Sequence, residues 1–297
     1  MKNFISTTLA IVLLCGALAQ TPAYGQRPTK QVDFKLPNKE DARAKQNLRS
    51  FPSGIQHFTI DSKILGETRC YSVYVPKSYT EGSDKKYPVL YMLHGAGEND
   101  LQWANIPEGM VGEVIAESIN GDEAAEMLIV FPDATTTKMG YFNVDGWNYE
   151  DFFFNELIPT IEKNFPALTD KGHRVIGGLS MGGGGSVNYA LRHPDMFCAV
   201  YAMSAAVGPS NSPSFQNATD FVTAGTPEQI AAWKTVKWLL DCGDDDFLFD
   251  ANIDCYKAMK KAGLPVQLRV RDGIHATYYW YRGLSLALPW FTRHMDK

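Results

Sequence analysis

The sequence predicts an α/β fold, with a mostly parallel central sheet carrying helices on both faces. Three observations carry this. Apolar, strand-like runs alternate with helically spaced stretches over most of the chain, the order that βαβ units produce. One junction, Arg-Val-Ile-Gly-Gly-Leu-Ser-Met-Gly-Gly-Gly-Gly-Ser-Val at 174–187, turns sharply from a strand into a helix at Ser180. The polar turns that hold the chemically interesting residues follow strands, so they gather at one edge of the sheet.

The first fifty residues stand apart. Lys2 precedes an apolar run at 9–18, too short to span a bilayer, and small residues follow it. Residues 1–25 therefore read as a secretory signal peptide, with cleavage after Ala19 or Gly25. Cys15 follows the bulky Leu14, which argues against a lipid anchor. This predicts a secreted or periplasmic protein. Residues 26–50 are polar and Lys-rich and read as an arm or linker before the domain at 51–297.

Within that domain, 55–60 and 68–75 read as two strands with no helix between them, an antiparallel start. The second alternates until Pro76 ends it. Strand 87–93 leads into the tight turn His94-Gly95-Ala96-Gly97. A helix is expected at 109–119, a strand at 127–131, and a helix at 151–165 with Pro159 as a kink. After the Ser180 junction come strands at 199–203 and 236–240. A helix at 248–262 is stopped by Gly263-Leu264-Pro265, then a strand at 266–270 and a last helix at 279–294.

Composition narrows the function. The net charge is −5, which argues against nucleic acid or an anionic membrane as the main partner. No fixed-period repeat is present. Cys70, Cys198, Cys242 and Cys255 remain after leader removal and permit two disulfides, but Cys198 and Cys242 sit in or beside apolar runs, as buried thiols do. The pairing stays open.

The chemistry centres on Gly178-Leu179-Ser180-Met181-Gly182, a G-x-S-x-G pattern. Side chains at 178 and 182 would collide with the neighbouring strand and helix. A serine hydroxyl needs a base to become a nucleophile, and histidine suits neutral pH. Of the six histidines, His275 in Asp272-Gly273-Ile274-His275 follows a strand downstream of the serine. The loop Asp241-Cys242-Gly243-Asp244-Asp245-Asp246 offers four acids to orient that base, and position alone does not choose among them. Some must be helix caps or solvated turn residues. The spacing is not that of an EF-hand calcium loop. The oxyanion donors expected are the N–H groups of Met181 and Ala96, with His94 holding the turn. Trp103 and Trp147 lie on loops at the same end and are candidates for a ring-binding pocket, or for packing their loops onto the core.

The segments at 91–97, 155–161, 178–182, 242–248 and 273–275 resemble the esterase D-like α/β-hydrolases. Among these, the similarity is to secreted feruloyl esterases of carbohydrate esterase family one. The resemblance implies the α/β-hydrolase fold and, through a Cys-Gly-x-x-Asp-x-Leu pattern, places the triad acid at Asp246. It places the base at His275 and the nucleophile at Ser180. The Ser…Asp…His order agrees. It implies a serine esterase without metal or organic cofactor. The substrate it implies is feruloylated or acetylated plant cell-wall polysaccharide, most directly the feruloyl esters of arabinoxylan. Acetyl xylan esterase is the first alternative and a non-catalytic carbohydrate-binding relative the second. Two departures stand out. Ala276-Thr277 separates His275 from the aromatics Tyr278-Tyr279-Trp280, where many members carry an aromatic sooner. The elbow also continues in glycine through Gly185.

Overall fold

Strand Val89–Leu93 (β3) has no exposed residue, and its side chains alternate between two cores. Val89, Tyr91 and Leu93 enter one hydrophobic cluster, whereas Leu90 and Met92 enter a second. Leu128–Pro132 (β4) and Ala199–Met203 (β8) alternate in the same way. A continuous apolar run is what a strand needs when both faces of its sheet are covered.

The computed structural model describes residues 55–80, 84–103, 114–115, 117–118, 123–135, 140–212 and 215–297. The expected leader at 1–25 and the arm at 26–50 lie outside these residues. So does most of the helix expected at 109–119, of which 114–115 and 117–118 are helical.

The remaining strands of the main sheet are Ile55–Ser62 (β1), Glu67–Tyr74 (β2), Arg174–Leu179 (β7), Lys237–Gly243 (β9) and Val266–Arg271 (β10). A small hairpin, Asn143–Val144 (β5) with Trp147–Asn148 (β6), stands apart. The eight-stranded order is β1-β2-β4-β3-β7-β8-β9-β10. β1 and β2 pair antiparallel, as does β2 with β4; every other neighbouring pair is parallel. The expected α/β architecture with an antiparallel start is therefore the observed one.

From β3 the chain first adds β4 on one side and later β7 on the other, so the strand order reverses there. A crevice at the carboxyl ends of β3 and β7 follows from that reversal. Helices Met181–Arg192 and Phe249–Lys261 contribute Val187, Tyr189, Cys255 and Met259 to the first core. Helix Thr277–Thr292 contributes Leu284, Leu288 and Phe291 to the second, on the opposite face.

Two local details differ from expectation. The helical run near 151–165 begins at Tyr149 and passes through a π-helical turn, Phe153–Leu157, before Ile158–Asn164. The wide turn lies just ahead of Pro159, so the ring sits in the first turn of a new segment, where its missing N–H costs nothing. Two short helices, Ala218–Thr223 and Pro227–Trp233, lie between β8 and β9, where no element is expected from the sequence. Cys198, Cys242 and Cys255 are free thiols, as their apolar surroundings suggest. Burial pushes the Cys198, Cys242 and Cys255 thiols up to about 12.

Candidate active site

β7 ends at Leu179, and Ser180 forms the N-cap of helix Met181–Arg192 with φ 52° and ψ −116°. That is the left-handed side of φ, which serine seldom adopts. Backbone pairing holds it there. Ser180 N–H donates to Met203 O at 2.9 Å, and Ser180 O accepts from Gly184 and Ala206 N–H, each at 3.0 Å. The glycines make the turn possible through close approach. A Cβ at Gly178 would lie 2.6 Å from the Gly182 backbone, and one at Gly182 would lie 2.5 Å from Leu93 O. The long glycine run has the same cause. Cβ atoms at Gly183 and Gly184 would press on the backbone of Met203 and Ala206, at 2.9 and 2.3 Å.

His275 lies on the loop between β10 and helix Thr277–Thr292. Its Nε2 is 3.0 Å from Ser180 Oγ, and its Nδ1 is 2.9 and 3.0 Å from the two Asp246 carboxylate oxygens. Asp246 Oδ1 also accepts the Leu248 N–H at 2.8 Å. Burial pushes the Asp246 carboxyl upward. The hydrogen bonds from His275, Leu248 and Ser204 and the His275 charge outweigh it, so Asp246 titrates below the usual carboxylate range.

The other acids of that loop do different work. Asp241 is buried and accepts from Tyr201 Oη at 2.5 Å, Tyr279 Oη at 2.6 Å and the Arg271 guanidinium at 3.1 Å. Asp244 accepts the Gly273 N–H at 3.1 Å, tying the acidic loop to the His275 loop. Asp245 is exposed, and one carboxylate oxygen from each of the exposed residues Asp244, Asp245 and Asp272 lies within 4.8 Å of the others.

The turn after β3 faces Ser180. His94 is buried and bridges it: Nδ1–H donates to Gly95 O at 2.7 Å, and Nε2 accepts from Ala134 N–H at 2.9 Å. Desolvation lowers its pKa, which suits a neutral ring with one donor and one acceptor. The Gly95 N–H is taken by Gln102 Oε1 at 2.7 Å. The Ala96 N–H has no acceptor among the described residues. Met181 N–H is the first of its helix, with no partner four residues back. Both residues adjoin Ser180, the expected place for oxyanion donors.

Trp103 and Trp147 do not line the cleft. Trp103 is fully buried and donates from Nε1 to Leu93 O at 3.2 Å. Trp147 belongs to the β5–β6 hairpin, donates to Gly140 O at 2.8 Å, and lies beneath Arg69. Each pins a loop to the core, where an indole gains apolar burial and still satisfies its N–H. The cleft, about 1120 Å3, is bounded instead by Ala96, Phe215, Phe247, Leu248 and Trp280 around Ser180 and His275. Phe247 is 76% exposed and its ring centroid is 4.4 Å from the His275 ring. Trp280 meets the same imidazole edge-on at 4.9 Å. The aromatic displaced along the sequence thus returns to His275 through one turn of helix. The sequence marks Trp280 only as one of three aromatics after His275, and Phe247 only by its place beside Asp246.

A serine on a strand–helix elbow, bonded to a histidine that is bonded to an aspartate at the carboxyl edge of this sheet, defines an α/β-hydrolase. The chain matches the Esterase family model ("Putative esterase") over residues 62–291 and belongs to that family. It is similar to an endo-1,4-beta-xylanase/feruloyl esterase of Xylanibacter ruminicola, 30% identical over 241 residues, covering 78% of this chain and 30% of that protein. The chain thus spans about a third of that relative's length. An acetyl esterase of Caldicellulosiruptor saccharolyticus is 25% identical over 70% of this chain and 84% of its own. Among solved structures, a ferulic acid esterase superimposes with a TM-score of 0.76 at 43% identity, covering 82% of this chain and 98% of that one.

Proposed function

We propose that this chain is a serine carboxylesterase that removes feruloyl groups from arabinoxylan, with Ser180, His275 and Asp246 as its triad. The observation that carries this reading is His275, bridging Ser180 Oγ at 3.0 Å and Asp246 at 2.9 Å. Asp246 holds the proton of neutral His275 on Nδ1, which leaves Nε2 as the acceptor for the Ser180 proton. Ser180 attacks the ester carbonyl, and the negative charge moves to the carbonyl oxygen. The N–H groups of Ala96 and Met181 receive that charge. His275 then gives its proton to the departing sugar alcohol. Water, deprotonated by His275, releases the acid and returns Ser180.

The acyl group is argued from the relatives and the rings. The 43% identical structure is named as a ferulic acid esterase, and the 30% identical protein carries that activity in its name. Phe247 gives the cleft an exposed aromatic face on which a planar hydroxycinnamoyl ring can stack. The similarity to an acetyl esterase favours short-acyl hydrolysis as the second reading. A non-catalytic carbohydrate-binding protein has no use for a base hydrogen-bonded to an elbow serine. No helix among the described residues is long and apolar enough to cross a membrane. The apolar run at 9–18 supports export, with 51–297 as the esterase domain.

The test is product analysis after incubation with arabinoxylan fragments bearing both feruloyl and acetyl esters. Free ferulate without acetate is expected. Acetate alone would move the protein to deacetylation, and neither product would remove plant polysaccharide as substrate.

A further inference from the structure

The turn after β3 presents two polar side chains, Glu98 and Gln102, to the cleft that holds Ser180 and His275. The backbone of the turn is closed on itself. Glu98 N–H donates to Gly95 O at 3.3 Å, and Gln102 N–H donates to Asn99 O at 3.0 Å. The side chains are not. The Glu98 carboxylate accepts no hydrogen bond from a described residue, and partial burial raises its pKa. The Gln102 amide is half used. A backbone N–H only donates, so the amide atom 2.7 Å from Gly95 N is the oxygen. The NH2 group therefore takes the other side of the fork, where it has no acceptor among the described residues. This amide stands beside the nucleophile: a Cβ built on Gly95 would lie 3.6 Å from Gln102 Oε1 and 3.7 Å from Ser180 Cβ.

The two walls of the cleft differ in character. In the sheet, β3 lies on one side of β7, and β8 and β9 lie on the other. The turn after β3 and the segment after β9 therefore face each other across Ser180. The β3 wall is polar through Glu98 and Gln102. The β9 wall presents Phe247, Leu248 and Ala251, with Asp250 as its charged member. In the stable conformation of an ester, the acyl carbon and the alcohol carbon lie trans across the C–O bond. An acyl ring laid on Phe247 thus sends the alcohol towards the β3 wall. A sugar alcohol brings hydroxyl groups, each able to donate and to accept. A carboxylate that only accepts and an amide NH2 that only donates complement them.

From this placement we infer that Glu98 and Gln102 form the subsite for the leaving sugar, the Glu98 carboxylate accepting from its hydroxyl groups and the Gln102 NH2 donating to them. The inference rests on the feruloyl esterase reading above, with Phe247 as the acyl-side wall. Gln102 then serves twice. Its oxygen holds Gly95, one residue before the expected oxyanion donor Ala96, and its nitrogen meets the sugar. The pair gives the enzyme a preference for sugar esters over simple alkyl esters of the same acid.

The test compares a feruloyl arabinose with methyl ferulate, which share the acyl group and differ in the sugar. The quantity read is the ratio of kcat/KM on the two esters, in which any loss common to both cancels. Glu98→Ala is expected to lower this ratio about ten-fold, and Gln102→Glu roughly three- to ten-fold. The change is carried mainly by a raised KM for the sugar ester, because a sugar contact is made in the bound substrate as well as in the transition state. Gln102→Glu keeps an oxygen for the Gly95 N–H and replaces only the NH2, so the turn stays anchored. A folded variant at either position that keeps the wild-type ratio would overturn the inference, as would a fall confined to kcat and shared equally by both esters. If the unsubstituted enzyme releases ferulate from neither ester, the feruloyl reading itself fails, and the inference with it.

Discussion

His275 Nδ1 lies 2.9 and 3.0 Å from the two carboxylate oxygens of Asp246, a residue 29 positions earlier on a different loop. Neither loop is regular structure, yet each follows a strand, β9 or β10, and those strands are parallel neighbours in register from Val266 with Trp238 to Arg271 with Gly243. Pairing continues into the loops. Asp244 N–H donates to Arg271 O at 3.2 Å, and Asp245 N–H donates to Gly273 O at 3.1 Å. The acid and the base are therefore carried on what is in effect one extended ladder.

Asp246→Asn presents a side chain that favours the wrong tautomer of His275. Turnover is expected to fall by about three to four orders of magnitude with the fold retained. Asp245→Asn, made in the exposed neighbour, is expected to leave turnover near wild type. Steady-state kinetics on an aryl ester compares the two.

The depressed titration of Asp246 also bears on stability. A carboxyl whose folded pKa is lowered contributes stability that is present above its unfolded pKa and lost as pH falls through the folded value. The stability gap between the protein and Asp246→Asn is therefore expected to hold at neutral pH and to shrink below the usual carboxylate range. Denaturant unfolding at a series of pH values measures it. A gap that widens in acid contradicts the assignment.

Ser180 carries backbone strain, with φ 52° and ψ −116°. Ser180→Gly is expected to abolish turnover while raising stability by about 1 kcal/mol, since glycine takes this conformation freely. Ser180→Ala is expected to lose turnover without that gain. Thermal unfolding of the two variants separates strain from chemistry.

Gly182→Ala puts a Cβ 2.5 Å from Leu93 O and 2.6 Å from His94 O, both rigid backbone. A cost of about 2–4 kcal/mol is expected, together with a displaced turn at Ala96. Urea unfolding checks the first and kcat the second.

Phe247→Ala removes an exposed ring, so stability is expected to change by less than about 0.5 kcal/mol. The expected effect is selective: kcat/KM falls roughly five- to ten-fold for a hydroxycinnamoyl ester and little for an acetyl ester. Equal losses on both would take Phe247 out of the acyl pocket.

Much of this was legible in the sequence because local constraints speak locally. The runs at β3, β4 and β8 are apolar throughout, as doubly covered strands must be, β7 and β9 break that pattern only at Arg174, Lys237 and Asp241, and the elbow glycines announce a tight crossing. The pair Ala218–Thr223 and Pro227–Trp233 was missed, although the second carries a signal: Thr226 and Gln229 form a capping box around Pro227. What could not be read depends on distant partners. Nothing near Trp103 or Trp147 says that their indoles turn inward to Leu93 O and Gly140 O. Choosing Asp246 over Asp241 rested on resemblance, because the two tyrosines and the arginine that occupy Asp241 come from β8, β10 and the last helix. The positive φ of Ser204, 44°, has no signature in the residues beside it.

The most direct test of the central claim is to treat the protein with a fluorophosphonate and locate the adduct by peptide mass spectrometry. A single adduct on Ser180 is predicted, lost in His275→Ala and strongly slowed in Asp246→Asn. No adduct on the folded protein, or labelling at another serine that survives the loss of His275, would contradict the account.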